Sequence, residues 1–343
     1  MVILLQFQSE GDSFMQNDLW NQYSMYSIRS DEKKALGKAY NKIGLSLLVY
    51  FILSVAISFL YAFLFYVPVI SDFLKSETGE NLFSTVINVF CMVIPFFLLR
   101  SKKSHYHAPT VKPLKLSSTL KYLSLGFGAF YVSNFVSNLF MNICAAVGIT
   151  LSQPDFSLPS SPVAAFIFFL QMTLGAGIFE ELLFRGAVLG NLRRFGDKTA
   201  ILASAFLFAA FHGNLIQAPF AFVLGLYLGY VACKTDNIVY AILIHATNNG
   251  VAVLLTFLSS VLNEQIYTFI GIIYAAISML FGIIGLVLEL LTASKELPLK
   301  KEEGILTIPQ KFGRLFASPS VIVLLLLCLF ITASYVQFGP VAN

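Results

Sequence analysis

Apolar residues in this chain come in runs too long for a soluble helix and too rarely broken for an amphipathic one. An α-helix needs about 20 such residues to cross a hydrocarbon core of about 30 Å. Stretches of this kind fall at 43–67, 82–99, 120–151, 162–192, 199–212, 215–233, 238–258, 266–291 and 319–338. The pattern predicts an all-α polytopic membrane helical bundle of eight or nine transmembrane helices. The fifth stretch reaches only about 21 Å at 1.5 Å per residue, so it either crosses in part or is extended by its neighbours. Four regions follow: a polar tail over 1–42, amino-terminal membrane helices over 43–160, a four-helix core over 161–260, and carboxyl-terminal membrane helices with a basic loop over 261–343.

Composition agrees with a lipid-solvated chain. Hydrophobic residues make up 57% of the 343, charged residues 12%, and the mean hydropathy is +0.78, which excludes an ordinary water-soluble protein. The net charge of +4 does not imply a nucleic-acid partner, because the bases sit in short loops between spans. Apart from Lys75, the other 21 of the 22 Lys and Arg fall before the first stretch or at and beside alternate loops. Since translocation disfavours Lys and Arg, this pattern predicts a multi-pass protein of the cell membrane with its amino terminus cytoplasmic and its carboxyl terminus external. Residues 1–42 lack the apolar middle and small-residue cleavage site of a secretory signal. Cys91, Cys144, Cys233 and Cys328 lie singly within spans and read as packing residues.

Ionisable groups within the apolar stretches are few, and burying one costs several kcal/mol unless it has a partner or a cavity. They are Glu180, Glu181 and Arg185 in the fourth stretch, His212 ending the fifth, and His245 in the seventh with Asn249 one turn later. Glu181 and Arg185 are four apart and can pair on one helix face, whereas Glu180 is turned about 100° away and stays free to take a proton from water. The alternative is a buried ion-pair cluster without chemistry. In H-A-T-N-N, His245 and Asn249 share a face and could converge on a developing oxyanion, or could simply hydrogen-bond across helices. Rise per residue places Glu180 and His212 about 20 Å from their cytoplasmic anchors and His245 about 12 Å, depths that allow a shared site. The remaining histidines, His105 and His107, form an H-x-H in a basic loop and read as solvated.

E-E-L-L-F-R at 180–185, F-A-A-F-H at 208–212 and H-A-T-N-N at 245–249 resemble, in order and spacing, the three motifs of the CAAX protease and bacteriocin-processing family of intramembrane endopeptidases, also called the Abi family. The resemblance covers about residues 160–260. It implies peptide-bond hydrolysis in a membrane-associated protein or peptide, with CAAX-type, bacteriocin-processing or immunity roles. Glu180 matches the catalytic glutamate, His212 its partner in activating water, His245 and Asn249 the oxyanion-stabilising groups, and Glu181 with Arg185 the supporting pair. The family is often labelled a metalloprotease, so zinc or another divalent metal on Glu180, His212 and His245 is one reading. The same side chains serve a metal-free general-base mechanism, and no H-E-x-x-H occurs.

Two other classes of function compete. A non-enzymatic membrane scaffold would use the small-residue motif G-L-Y-L-G at 225–229 to bind a sensor or partner protein, although the same glycines could pack within their own bundle. A proton-coupled transporter would also bury ionisable groups, but the sequence shows no duplicated halves with matching broken helices.

Overall fold

A computed structural model of the chain describes residues 2–100, 106–152, 157–292 and 297–338, with side chains described from residue 25 to residue 337 of these. His105, the expected loop bases Lys102, Lys103 and Lys295, and the outer-loop Asp155 lie outside the described residues. The described chain is all-α apart from one two-stranded ribbon. Its helices are α1 (Val2–Leu64), α2 (Pro68–Leu74), α3 (Glu77–Leu99), α4 (Leu116–Ala146), α5 (Pro162–Leu170), α6 (Ala176–Glu181), α7 (Leu189–Leu192), α8 (Asp197–Phe211), α9 (Gln217–Thr235), α10 (Ile238–Val261), α11 (Glu264–Thr292), α12 (Ile308–Gly313) and α13 (Pro319–Ala333).

Six of these helical stretches are long and apolar enough to cross a membrane, and a seventh is added if Ile308–Ala317 and Pro319–Ala333, bent by 75°, count as one span. The expected eight or nine is not reached by this measure. Helix α8 has only 15 residues. Helix α4 is long, but Lys121, Ser133, Asn134, Ser137, Asn138 and Asn142 dilute its apolar character. The first helix also begins far before the expected span at 43, and its residues Leu36, Tyr40 and Ile43 are fully buried in the main core.

Contacts between loops tie the helix ends into two layers. At one end, Lys42 Nζ donates to the Leu99 carbonyl at 3.0 Å, Thr110 bridges to Asn237, and Lys300 N donates to Asp197 at 2.9 Å. Glu32 accepts from the amides of Ile305 and Leu306 in the same layer. These are the base-bearing loops. At the other end β1 (Ile149–Leu151) pairs antiparallel with β2 (Val336–Phe338), and Glu77 accepts from the amides of Ser160 and Ser161.

The site-bearing segment starts with a sharp local signal. Ser161 accepts from the Ala164 amide as N-cap, and Pro162 follows at the first helical position, where its missing N–H costs nothing. From there to Phe195 the helix does not run evenly. Two π-helical turns, Gln171–Gly175 and Leu182–Val188, bracket α6, which ends on Glu180 and Glu181. Such wide turns cluster at functional sites because they re-aim the side chains beside them.

Close packing then sets neighbouring helices. A Cβ on Gly177 would stand 3.0 Å from Ala246 of α10, so glycine there lets α6 and α10 approach. Gly225 and Gly229 of α9 face Ala205 and Ile201 of α8 in the same way. The small-residue motif is thus used inside the bundle, and the feature that pointed to a scaffold's partner is occupied by this chain's own helix.

Candidate active site

Glu181 and Arg185 are completely buried, and Arg185 Nη1 donates to Glu181 Oε1 at 2.6 Å. The guanidinium also donates to the Gly225 carbonyl at 3.3 Å and lies 4.4 Å from the centre of the Phe208 ring. The ion pair expected from the four-residue spacing therefore exists, and it joins α6 to α8 and α9. Its second function is to hold an imidazole: His245 Nδ1 lies 2.8 Å from Glu181 Oε1. A carboxylate can only accept when ionised, so Nδ1 carries the proton and the ring is fixed in orientation. That places His245 Nε2 3.8 Å from Glu180 Oε2. His245 thus stands between the two glutamates.

Glu180 presents its carboxylate to a cavity of about 1040 Å³ that is also lined by His212, His245, Asn248 and Asn249. The side chain retains 18% of its exposure, in contrast to its buried neighbour. His212 caps the end of α8, where Gly213 turns the chain with φ of +62°. Its Nδ1 lies 2.8 Å from the Phe208 carbonyl, which can only accept, so Nδ1 donates and Nε2 is left for another partner. The Phe208 ring stands edge-on to both imidazoles, with centroids 4.8 Å from His212 and 5.8 Å from His245.

Asn249 is more committed than its spacing from His245 suggests. Its Nδ2 donates to the Met172 carbonyl at 2.8 Å, within the first π turn, and its Oδ1 accepts from Asn248 at 3.0 Å. It helps fasten α10 to the distorted segment and still borders the cavity, with one amide proton unassigned. His107 binds through its backbone, its amide donating to Gly190 O and its carbonyl accepting from Arg193.

Among the described residues no three His, Cys, Asp or Glu side chains form a group that would hold a metal ion. His245 Nδ1 and His212 Nδ1 are both engaged by protein oxygens, which orients the rings and leaves each Nε2 as the atom that would face a water or a metal beside Glu180, and no step below is routed through a metal.

Several lining residues have no counterpart in the three motifs. Tyr50 of α1 donates to Asn88 of α3 at 3.2 Å, Thr85 donates to Gln171 at 2.9 Å, and Asn134 and Asn138 of α4 and Gln217 of α9 complete a polar wall. One signal was available. Asn81, Ser84, Thr85 and Asn88 recur at helical spacing in an otherwise apolar span, as do Asn134 and Asn138, and such a stripe marks a face turned from lipid.

Long apolar helices, six of them able to cross a membrane, around a carboxylate and two imidazoles define a multi-pass membrane protein. A family model described as type II CAAX prenyl endopeptidase, Rce1-like, matches residues 162–251, from the first residue of α5 to just beyond Asn249. The match is consistent with the CAAX protease and bacteriocin-processing family that the motifs resemble, and it supports a CAAX-type intramembrane endopeptidase fold for this segment. No curated protein and no solved structure matches the chain.

Proposed function

We propose that the chain is a glutamate-dependent intramembrane endopeptidase acting on a membrane-associated protein or peptide. The observation that carries this reading is that Glu180, His212 and His245, from three separate helices, border one cavity while Glu181 and Arg185 hold His245 from behind. Glu180 takes a proton from water whose other contact is His212 Nε2, and the resulting hydroxide attacks the scissile carbonyl carbon. As an imidazolium, His245 keeps its Nδ1 proton on Glu181 and carries a second N–H on Nε2, 3.8 Å from Glu180, on the cavity side. Once Glu180 has accepted the proton, the His245 cation faces the new oxyanion, supported by Asn249. Collapse of the tetrahedral intermediate returns the proton from Glu180 to the leaving amine. The base-bearing end of the bundle is assigned to the cytoplasm, which places the amino terminus there and the carboxyl terminus outside.

The test is cleavage by the full chain reconstituted in lipid vesicles, using a mixture of internally quenched peptides. Glu180→Ala and His212→Ala are each expected to lower turnover by at least about 10²-fold without loss of the folded protein. Turnover retained by both variants rejects the assignment.

A further inference from the structure

Asn248 stands on the same side of α10 as His245, three residues after it and next to Asn249, but takes no part in the steps above. Its orientation is fixed from outside. The Met172 carbonyl can only accept, so the atom of Asn249 that meets it at 2.8 Å is Nδ2, and Asn249 Oδ1 is turned the other way. That oxygen can only accept in its turn, so the atom of Asn248 that meets it at 3.0 Å is again Nδ2. One backbone carbonyl thus sets the direction of both carboxamides. The relay ends at Asn248 Oδ1. This oxygen has no hydrogen-bond partner among the described residues, and it is open to the cavity rather than sealed in protein, although the residue as a whole retains only 9% of its exposure.

We propose that Asn248 is a substrate-binding residue whose Oδ1 accepts the backbone N–H of the residue that supplies the scissile carbonyl, so that a chain lacking an N–H at that residue is a poor substrate. This assignment rests on the peptidase reading above and narrows what that site takes. In an extended chain the N–H and C=O of one residue point to the same side, and a neighbour meets them with one acceptor and one donor. Consecutive carboxamides of α10 offer that pair. Asn248 presents an oxygen, and Asn249 has one amide proton left after Met172. With the scissile carbonyl oxygen bound by Asn249 and His245, the N–H of the same residue comes to Asn248. An oxygen desolvated by the substrate and given no donor is costly, so an analogue without the N–H is rejected. An N–H on Asn248 Oδ1 also polarises the relay and strengthens the bond from Asn248 Nδ2 to Asn249, which couples substrate binding to the oxyanion donor.

The experiment uses the full chain in phosphatidylcholine vesicles and internally quenched peptide mixtures, with each cut bond located by mass spectrometry. A cut peptide is then remade with an ester oxygen in place of the backbone N–H of the residue supplying the scissile carbonyl, and separately with the same replacement three residues earlier. The first replacement is expected to lower kcat/KM at least about tenfold, and the second less than about twofold. Asn248→Leu, with the protein still folded, is expected to lower kcat/KM on the native peptide at least about tenfold and to cut native and ester peptides within about twofold of each other. Wild-type kcat/KM unchanged by the first replacement overturns the assignment, as does an Asn248→Leu variant that keeps the wild-type preference for the native peptide; both leave the peptidase standing. Should Asn248→Leu not fold, the two ester positions in wild type decide alone, and equal losses at both overturn the assignment. If wild type and Glu180→Gln alike cut none of the mixtures, the peptidase reading fails and the role of Asn248 fails with it.

Discussion

Two adjacent glutamates given the same substitution should fail in opposite ways. Glu181→Gln removes the anion from a completely buried pair, leaving the Arg185 guanidinium with the Gly225 carbonyl at 3.3 Å and the face of Phe208. Removing one partner of such a pair costs about 3–5 kcal/mol, because the other charge stays buried without compensation. The His245 ring also loses the acceptor that fixes its Nδ1. Glu180→Gln removes a carboxylate that faces a cavity and whose nearest cation is an imidazole nitrogen at 3.8 Å. Its stability cost should stay below about 1 kcal/mol, the range of partly solvated pairs. The catalytic cost is another matter. A lost general base lowers turnover by about 10²–10⁴-fold.

Both quantities can be read on one preparation, with thermal unfolding followed in detergent and peptide cleavage followed in vesicles. Glu181→Gln should unfold at least about 5 °C lower than wild type, whereas Glu180→Gln should unfold within about 2 °C of it and be inactive. Addition of Arg185→Met to Glu181→Gln should recover part of the stability, since an apolar pair no longer buries a lone cation. If Glu180→Gln is the unstable variant and Glu181→Gln melts like wild type, the division between a structural and a reactive carboxylate is wrong.

The remaining predictions concern how the site is held. Gly177→Ala places a methyl 3.0 Å from Ala246, next to His245, and should lower kcat by about tenfold or more with the protein still folded; wild-type kcat would show that α6 and α10 need not touch. Asn249→Ala leaves the Met172 carbonyl without its donor and should cost about 1–3 kcal/mol in denaturant unfolding; an unchanged midpoint would mean that the first π turn does not depend on it. Lys311 is fully buried between Glu302, the Phe195 carbonyl and the Glu303 carbonyl, so Lys311→Met should destabilise the chain by about 3–5 kcal/mol and expose the adjoining loop to protease; resistance equal to wild type would refute this.

The three motif segments could be read in the sequence because membrane burial makes an ionisable residue expensive, so each one stands out against apolar surroundings. Pairing of Glu181 with Arg185 followed from a four-residue spacing on a helix, and the structure has it. What spacing could not supply is position across helices. His245 shares a helix face with Asn249, yet its ring is held by Glu181, 64 residues earlier in the chain, while Asn249 turns to Met172. The reason lies in the two π turns around α6. Each adds residues to a turn and shifts the following side chains relative to a regular 3.6-residue helix, so an ideal wheel misplaces them. The count of eight or nine spans is not confirmed by the six or seven helices long and apolar enough to cross, for a related reason: a short helix such as α8 can be sheltered by neighbours, and its length then carries no information about the bilayer.

Much of the architecture outside residues 162–251 bears on the same site. Glu302 accepts from the Thr199 amide and hydroxyl near the start of α8, and Lys311 fixes Glu302 in turn. The opposite end of that helix is His212. A helix 15 residues long, held at one terminus by a buried ion pair and closed at the other by a positive-φ glycine, has little freedom to slide or turn. Helices α1, α3 and α4 contribute Tyr50, Asn88 and Asn138 to the cavity wall. The matched segment therefore carries the proposed reacting groups, while the flanking helices fix where His212 stands and wall the cavity that Glu180 faces.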